Sequence, residues 1–340
     1  MNNPSKVGVG VIGTGRIGKL HIQHLCQYIA ESEVIEICSL DIETAESLAE
    51  QFNISKITTD YSSLLSNPQI NAVIIASSTD THVEICQAAA EAGKHIFCEK
   101  PIALDLEQID DTLAIVEKAG IKFQVGFNRR FDVNFTRVRE TIAIGEIGEP
   151  HILRITSRDP APPPIEYVKV SGGIFLDMTI HDFDMARYLI GDEVDEVYAI
   201  GGVRIDPQIG EAGDIDTAVI TLCFQNGVLA TIDNSRKAVY GYDQRVEVFG
   251  STGMVAAGNP LTDTVTISES KGSRNASLPN FFVERYRDAY LSEMKAFIGC
   301  IIDDTQPLVT GSDGRAPIVM GYAALKSLRE NRPVRMSEIS

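Results

Sequence analysis

Acidic residues and one histidine interrupt an otherwise apolar stretch of the chain, residues 171–184, which reads SGGIFLDMTIHDFD. Asp177, His181 and Asp184 stand at i, i+4 and i+7, so a helix over 177–190 would align them along one face. An imidazole ordinarily has a pKa of about 6.5, which suits a general base near neutral pH. The spacing predicts acid–base chemistry directed into a cleft. A helix start that simply favours an acidic residue and an ordinarily hydrogen-bonded histidine would give the same pattern.

The other residues of this stretch are expected to support that face. Gly172 and Gly173 would let the backbone pass close to a ligand before the helix begins. Asp182 lies off the stripe and is expected at the surface or behind the site, whereas Asp184 either binds a substrate hydroxyl or pairs with Arg187. The residues expected to pack the helix are Phe183, Met185, Ala186, Leu189 and Ile190.

A lysine follows a predicted buried strand elsewhere in the chain. The segment HIFCEK ends in Glu99 and Lys100, and Pro101 comes next. In open α/β sheets this carboxyl end of the strands is where ligands bind. Lys100 could therefore anchor a hydroxyl oxygen and a cofactor ribose, or be an ordinary exposed ammonium, and its position alone does not decide.

The elements that would position these residues alternate in the first half of the chain. Short β-branched runs such as KVGVGVIG, VIEICSLD, NAVIIAS, HIFCEK and IKFQVGF are separated by helical patterns such as RIGKLHIQHLCQYIA, DTHVEICQAAAEAG and EQIDDTLAIVEKAG. This alternation predicts parallel strands with crossover helices, a doubly wound Rossmann sheet.

Three glycines, in GTGRIG, span the first strand-to-helix turn. Gly13, Gly15 and Gly18 would allow the tight turn and the close approach of a pyrophosphate to the helix N-terminus. Asp41 ends the second strand pattern, where its carboxylate can accept hydrogen bonds from both ribose hydroxyls and would repel a 2′-phosphate. The turn predicts a dinucleotide site, with NAD favoured over NADP. Arg16 either lies over the pyrophosphate or is a surface side chain.

The second half of the chain has a different pattern. EPHILRITSR, VDEVYAIGGVR, DTAVITLCFQNGVLATIDNSR and QRVEVFGSTGMVAAG are typical of strands, QNG of a hairpin turn, and APIVMGYAALKSLREN of a helix. At 340 residues the chain is long enough for two domains. We expect a cofactor domain over 1–127 and a second domain, with both strands and helices, over 128–340.

Composition limits the classes of partner. A formal net charge of −17 argues against nucleic acid, which is bound by clustered basic residues. The six cysteines have no metal-ligand spacing, which predicts buried reduced thiols and no metal. The N-terminus, MNNPSKVGVGVIG, is typical of neither a signal peptide nor a membrane span, so a cytoplasmic location is expected.

Several motifs in order along the chain carry a family resemblance. GTGRIG, CEKP near residue 100, GFNRRFD at 126–132, the Asp177–His181 pair and the late TGSDGRAP together resemble the Gfo/Idh/MocA oxidoreductases. Within that family EKP, GFNRRFD, DMTIHDFD and AVYGYD are most similar to the bacterial inositol 2-dehydrogenases. The resemblance covers nearly the whole chain and implies a C-terminal α+β domain with a large open, mainly antiparallel sheet, whose last helix can pack back on the first domain. Many members of the family form tetramers through that sheet.

The resemblance also implies residue roles. It implies catalysis by Lys100, Asp177 and His181: His181 takes the hydroxyl proton, Lys100 binds the same oxygen, and Asp177 orients the pair. The residues expected to bind NAD are Gly13, Gly15, Arg16, Ile17, Gly18, Asp41, Ser77, Thr79, His82, Glu99 and Lys100. Those expected to bind substrate are Arg130, Asp159, Asp177, His181, Asp184 and Tyr240. A structural salt bridge is the alternative for Arg130.

The expected substrate is a small neutral polyol. NAD-dependent oxidation of an inositol, with myo-inositol favoured, would give a keto-inositol such as scyllo-inosose. Scyllo-inositol, chiro-inositol and glucose remain open, because the loop RDPAPPPIEY, where specificity is expected, does not identify one of them. An NAD-retaining glycosidase and an NAD sensor without turnover are the competing classes. A homotetramer is expected.

Overall fold

The computed structural model describes residues 6–339. Helices and strands alternate regularly up to residue 125. Strands are β1 (Val7–Ile12), β2 (Ser32–Cys38), β3 (Lys56–Thr58), β4 (Ala72–Ile75), β5 (His95–Cys98) and β6 (Phe123–Val125). Helices are α1 (Arg16–Gln27), α2 (Ile42–Phe52), α3 (Tyr61–Leu65), α4 (Thr79–Glu91) and α5 (Leu106–Ala119).

Beyond residue 128 the described chain has five strands of seven to nine residues and four shorter strands. They are β7 (Pro150–Arg158), β8 (Val194–Gly202), β9 (Thr217–Phe224), β10 (Leu229–Ser235), β11 (Asp243–Gly250), β12 (Met254–Ala257), β13 (Thr266–Glu269), β14 (Gly272–Asn275) and β15 (Val334–Arg335). The helices are α6 (Val133–Ala143), α7 (Ile165–Val168), α8 (Gly173–Asp177), α9 (Ile180–Ile190), α10 (Pro207–Glu211), α11 (Phe282–Arg285), α12 (Arg287–Ile302) and α13 (Gly311–Glu330).

The first six strands form one parallel sheet in the order β3-β2-β1-β4-β5-β6. β1 and β4 are buried along their whole length, as expected for strands covered by helices on both faces. The strand order reverses direction between β1 and β4, which is where dinucleotides bind in this class of sheet. The predicted Rossmann fold is confirmed.

The chain divides into two compact units. The first comprises the residues up to Asn128 together with Asp288–Arg315, and the second comprises Arg129–Arg287 with the chain from Ala316 onward. In the first unit, Met294, Phe297 and Ile298 of α12 belong to the same apolar core as β1 and α1. The sequence interpretation did not identify α12, which joins a sheet formed more than a hundred residues earlier.

The second unit contains a seven-stranded sheet in the order β12-β11-β7-β10-β9-β8-β15. Its neighbours pair antiparallel except for β10 and β7, which are parallel. Gly227, with φ +88°, lies in the loop that joins β9 to β10, so the predicted hairpin forms at QNG. The predicted open, mainly antiparallel sheet is confirmed.

The structure bears on two further expectations, which concern the cysteines and membrane-spanning segments. All six thiols are free, but Cys26 is exposed and Cys223 half-buried, so the expectation that all are buried is wrong. None of the helices in residues 6–339 combines the length and apolar character needed to cross a membrane. Residues 1–5 of the N-terminal segment lie outside the described residues, as does residue 340.

Candidate active site

The glycine turn after β1 has a geometry that only small residues allow. Gly13 has φ +101°, and a Cβ there would lie 2.5 Å from the Ala76 carbonyl oxygen. At Gly18 a Cβ would lie 2.1 Å from the carbonyl oxygen of Gly13. Gly15 caps α1 with φ −63°, and a Cβ there would meet no atom within 4 Å. The turn therefore leaves an open space at the N-terminus of α1, which fits a pyrophosphate.

The carboxylate of Asp41 lies at the end of β2, exposed, as the N-cap of α2. It accepts a hydrogen bond of 3.1 Å from the Thr44 backbone N–H. Hydrogen bonding from Thr44 lowers the pKa of Asp41, and the charge of Lys19 adds to that effect. An ionised, solvent-facing carboxylate at this strand end fits the two ribose hydroxyls of NAD.

The remaining residues predicted to bind the cofactor lie on the turns that follow β1, β4 and β5. Arg16 and Ile17 begin α1, the Ser77 hydroxyl hydrogen-bonds Thr81, and Thr79 begins α4. His82 is buried, and its ring nitrogens lie 2.8 Å from the Pro101 carbonyl oxygen and 3.2 Å from that of Ser77. The buried His82 side chain thus contacts the backbone of the turns after β4 and β5.

After β5, Glu99 and Lys100 are both half-buried. One Glu99 carboxylate oxygen lies 2.7 Å from Nε2 of the fully buried His21. This contact was not anticipated from the sequence, because His21 lies in the helical pattern of α1 with no feature to distinguish it. Lys100 follows Glu99 directly and lies just beyond the carboxyl end of β5, as the sequence predicted.

The predicted continuous helix over 177–190 is wrong. Asp177 is the last residue of α8, and α9 begins at Ile180, so His181 lies in its first turn. The Thr179 hydroxyl donates to the side-chain oxygen of Asn234 (2.6 Å) and to the Ile174 carbonyl oxygen (3.2 Å). These contacts hold the junction between the two helices. The residues predicted to pack α9 are all buried, namely Phe183, Met185, Ala186, Leu189 and Ile190.

Two unpredicted residues hold the Asp177 carboxylate. Tyr167 donates to one oxygen at 2.8 Å, and the buried Arg236 donates to the other at 3.3 Å. Arg236 also lies 3.7 Å from the carboxylate of Asp214, while Asp214 accepts from the backbone of Ile174 at the start of α8. One sequence signal could have identified Arg236. It is a cation at the end of the DNSR strand pattern, in a site with clustered acidic residues.

Asp159 contributes another carboxylate to this neighbourhood. Burial raises its pKa to about 6; the positive charge of Arg236 opposes that shift, and the negative charge of Asp177 adds to it. Asp159 and Tyr167 both come from the Pro-rich segment RDPAPPPIEY. That segment therefore brings two polar groups towards Asp177.

Asp182 is fully buried, which excludes the expected position at the surface. The other expected position, behind the site, remains. Its carboxylate accepts from Arg129 at 2.6 Å and from the Asn234 amide at 2.8 Å. Burial raises the pKa of Asp182, and the charge of Arg129 opposes the rise. The pair anchors the first turn of α9, which carries His181.

Asp184 accepts hydrogen bonds of 2.6–3.1 Å from Arg130, and both side chains are buried. Arg187 donates to Glu193. The Arg130 guanidinium also lies over the ring of Tyr188. This burial favours a structural role for Arg130 and Asp184, and their contact with substrate stays a prediction.

Tyr240 lies on the loop that follows β10. Its side chain is 52% exposed, and its hydroxyl donates to Asp243 at 2.7 Å and accepts from Arg158 at 3.1 Å. Burial, together with its hydrogen bond to Asp243, raises the pKa of Tyr240. Polar contacts hold its hydroxyl group, while about half of the residue remains accessible to solvent.

Both halves of the chain are similar to known proteins of one family. Residues 7–127 match the Gfo/Idh/MocA oxidoreductase family with an NAD-binding Rossmann fold, and residues 135–256 match the C-terminal domain of the same family. The myo-inositol 2-dehydrogenase of Thermotoga maritima is 49% identical over 97% of this chain and 99% of its own. The inositol 2-dehydrogenase of Rhizobium meliloti is 43% identical with the same coverage.

Solved structures agree with the sequence comparison. The scyllo-inositol dehydrogenase of Lactobacillus casei, solved with NAD(H) and scyllo-inositol bound, superposes with a TM-score of 0.92 at 30% identity, covering 98% of this chain and all of the other. The match in both halves, at this identity and over this length, is far beyond a shared fold alone. The chain belongs to the Gfo/Idh/MocA family of NAD-binding oxidoreductases.

Proposed function

We propose that this protein is an NAD-dependent inositol dehydrogenase, which oxidises a secondary alcohol of an inositol, with myo-inositol favoured, to a keto-inositol such as scyllo-inosose. The observation that carries the proposal is 49% identity to a myo-inositol 2-dehydrogenase along almost the entire length of both chains. The glycine turn, the exposed Asp41 and the polar cluster around Asp177 are the groups such a reaction needs.

Three residues are proposed to catalyse the reaction. His181 accepts the hydroxyl proton, and Lys100 donates a hydrogen bond to the same oxygen and stabilises its developing negative charge. Asp177, fixed by Tyr167 and Arg236, binds a hydroxyl and orients its cationic partners. NAD, when bound, accepts the hydride from the carbinol carbon.

The cofactor site is proposed to use two kinds of contact. Backbone N–H groups at Gly15, Arg16 and Ile17 meet the pyrophosphate, and the Asp41 carboxylate accepts from the adenosine ribose hydroxyls. Ser77, Thr79, Glu99 and Lys100 surround the rest of the cofactor, with His82 acting from behind. Residues 1–127 are proposed as the cofactor domain and 128–340 as the substrate domain, although the segment Asp288–Arg315 belongs to the first compact unit.

Substrate contacts beyond the catalytic residues are proposed for Asp159 and Tyr240, and for Arg130 and Asp184 if their ion pair opens. Scyllo-inositol is the specific alternative, because a relative solved with that isomer aligns over 98% of this chain. We also propose a cytoplasmic homotetramer.

The test follows NADH formation from NAD with myo-inositol, scyllo-inositol, chiro-inositol and glucose supplied separately. Lys100→Ala and His181→Ala should each abolish turnover, whereas Lys56→Ala, at an exposed position on β3, should not change it. NADH from one inositol identifies the substrate. Absence of NADH with all four, in protein that binds NAD, would refute the inositol assignment and favour a retained cofactor or a sensor.

A further inference from the structure

A fully buried histidine in α1 makes a single polar contact. Nε2 of His21 lies 2.7 Å from the Glu99 carboxylate, and no polar atom among the described residues hydrogen-bonds its Nδ1. The ring is otherwise enclosed by Phe97 and Tyr290, at centroid distances of 5.1 and 6.1 Å. An apolar residue would fill this site without leaving an unsatisfied buried nitrogen. The polar function of His21 is therefore to hold Glu99.

Glu99 is confined on its other side as well. A Cβ at Gly126 would lie 2.9 Å from the second carboxylate oxygen, so that backbone passes close to it. The Glu99 backbone N–H donates to the Ile75 carbonyl oxygen on β4 at 2.9 Å. With its main chain fixed by the sheet, the direction of the Glu99 side chain depends on His21.

A second buried histidine, His82, contacts the residue that follows Lys100. Nδ1 of His82 lies 2.8 Å from the Pro101 carbonyl oxygen, whereas Nε2 lies 3.2 Å from that of Ser77. Burial lowers the pKa of His82, and its two ring nitrogens each face one backbone carbonyl oxygen. The contact of Nδ1 with Pro101 is the shorter of the two.

We infer that His21 and His82 are positioning residues that fix Glu99 and Pro101 and thereby set the place of Lys100 between them. The inference rests on the proposed function in giving Lys100 its role at the substrate oxygen. The two histidines lie on α1 and α4, the helices that begin at the Gly13–Gly18 and Ser77–Thr79 turns. The same two helices thus carry both the proposed cofactor turns and the supports of Lys100.

Paired substitutions separate hydrogen bonding from packing. His21→Phe keeps a ring between Phe97 and Tyr290 without the donor, whereas His21→Gln keeps an N–H near the Nε2 position. His82→Leu and His82→Asn form the corresponding pair at the Nδ1 position. His95→Leu is the matched control, because His95 lies at the opposite end of β5 and is half-buried.

Steady-state kinetics should show a loss in kcat. We expect His21→Phe and His82→Leu to lower kcat by about 10- to 100-fold, with the KM for NAD changed less than about threefold, since a small misplacement of a reacting group has effects of this size. His21→Gln and His82→Asn should recover most of kcat, and His95→Leu should stay within about twofold of the parent protein. Equal losses in the Phe and Gln variants would make His21 a packing residue and overturn the inference.

A double-mutant cycle tests the path of the effect. If His21 acts through Glu99, then His21→Phe should have no further effect on kcat in a Glu99→Leu background. Additive losses would contradict the inference.

Hydrogen exchange gives a readout that needs no substrate. The peptide spanning residues 96–104 should exchange faster in His21→Phe and His82→Leu, while peptides from β2 and α2 keep the exchange of the parent protein. Unchanged exchange in 96–104 would overturn the inference even in an active enzyme. If the parent protein oxidises no inositol but the local exchange effect is present, the proposed function fails and the support of the Lys100 segment stands.

Discussion

At the scale of single residues, the site is governed by the balance between carboxylates and guanidiniums. Arg236 lies between Asp177 and Asp214, and its positive charge holds down the pKa of Asp159, which burial raises to about 6. Arg236→Met removes that charge while keeping an extended apolar chain. Without that positive charge, ionisation of the neighbouring carboxyl groups is less favourable. The acid limb of the kcat/KM profile should therefore move to higher pH by about one unit.

The profile is measured between about pH 5 and pH 9, where catalytic groups of this kind titrate. Arg236→Lys retains the charge and should keep the acid limb near its original position even if kcat falls. An acid limb that stays in place in Arg236→Met would show that Arg236 does not set the charge of the cluster.

Asp159 also links stability to pH. Its pKa is about 6 in the folded protein, whereas a carboxyl group in an unfolded chain has a pKa of about 3.9. Between these values the folded state binds more protons than the unfolded state, so this group's contribution to the free energy of unfolding falls as pH rises through that window. Asp159→Asn should therefore raise the free energy of unfolding at about pH 8 by about 1–2 kcal/mol and leave it unchanged near pH 4.

Urea denaturation at the two pH values measures this difference directly. A stabilisation by Asp159→Asn that is equal at both pH values would contradict a role for the ionised carboxylate.

At the scale of elements, the glycine turn separates folding from cofactor binding. Gly15→Ala places a methyl group in the open space at the N-terminus of α1, where no protein atom lies within 4 Å. We expect the thermal midpoint of the cofactor-free protein to stay within about 2 °C, because Ala tolerates this backbone conformation, while the Kd for NAD rises at least about tenfold.

Gly18→Ala is the matched comparison and should behave differently. Its methyl group would lie 2.1 Å from the Gly13 carbonyl oxygen, so the turn itself must shift and the cofactor-free protein should lose stability. Calorimetry without NAD and titration with NAD distinguish the two outcomes. An unchanged NAD affinity in Gly15→Ala would exclude the proposed position of the pyrophosphate.

The break between α8 and α9 shows where local pattern fails. Met178 and Thr179 contain no helix-breaking residue, and the sequence alone favours one continuous helix. The junction is instead held by Thr179, whose hydroxyl bonds Asn234, fifty-five positions away in the chain. Asn234 also binds Asp182, so a single side chain on β10 fixes both the end of α8 and the start of α9.

At the scale of the whole molecule, the sequence predicted what depends on periodicity and turn chemistry. The Rossmann sheet, the QNG hairpin and the glycine turn follow from alternation, from residues that tolerate positive φ, and from close backbone approach. The buried pairs Arg129–Asp182 and Arg130–Asp184 could not be predicted, because they join residues more than fifty positions apart. The attachment of α12 to the first sheet depends on the same kind of long-range packing.

The sheet of the second unit exposes an apolar row that bears on the proposed tetramer. The strand register places Phe249 opposite Ile152, and Ile152 opposite Leu229, and their side chains are 48%, 36% and 49% exposed. An exposed row of this kind on a broad sheet favours burial against another copy.

Leu229→Glu places a charge at the end of that row. It should shift the mass measured by light scattering after size exclusion from that of a tetramer to that of a smaller species. Ile144→Glu, at an exposed apolar position following α6, is the control and should leave the mass unchanged. A Leu229→Glu protein that remains tetrameric would exclude this row from the interface and require another surface for assembly.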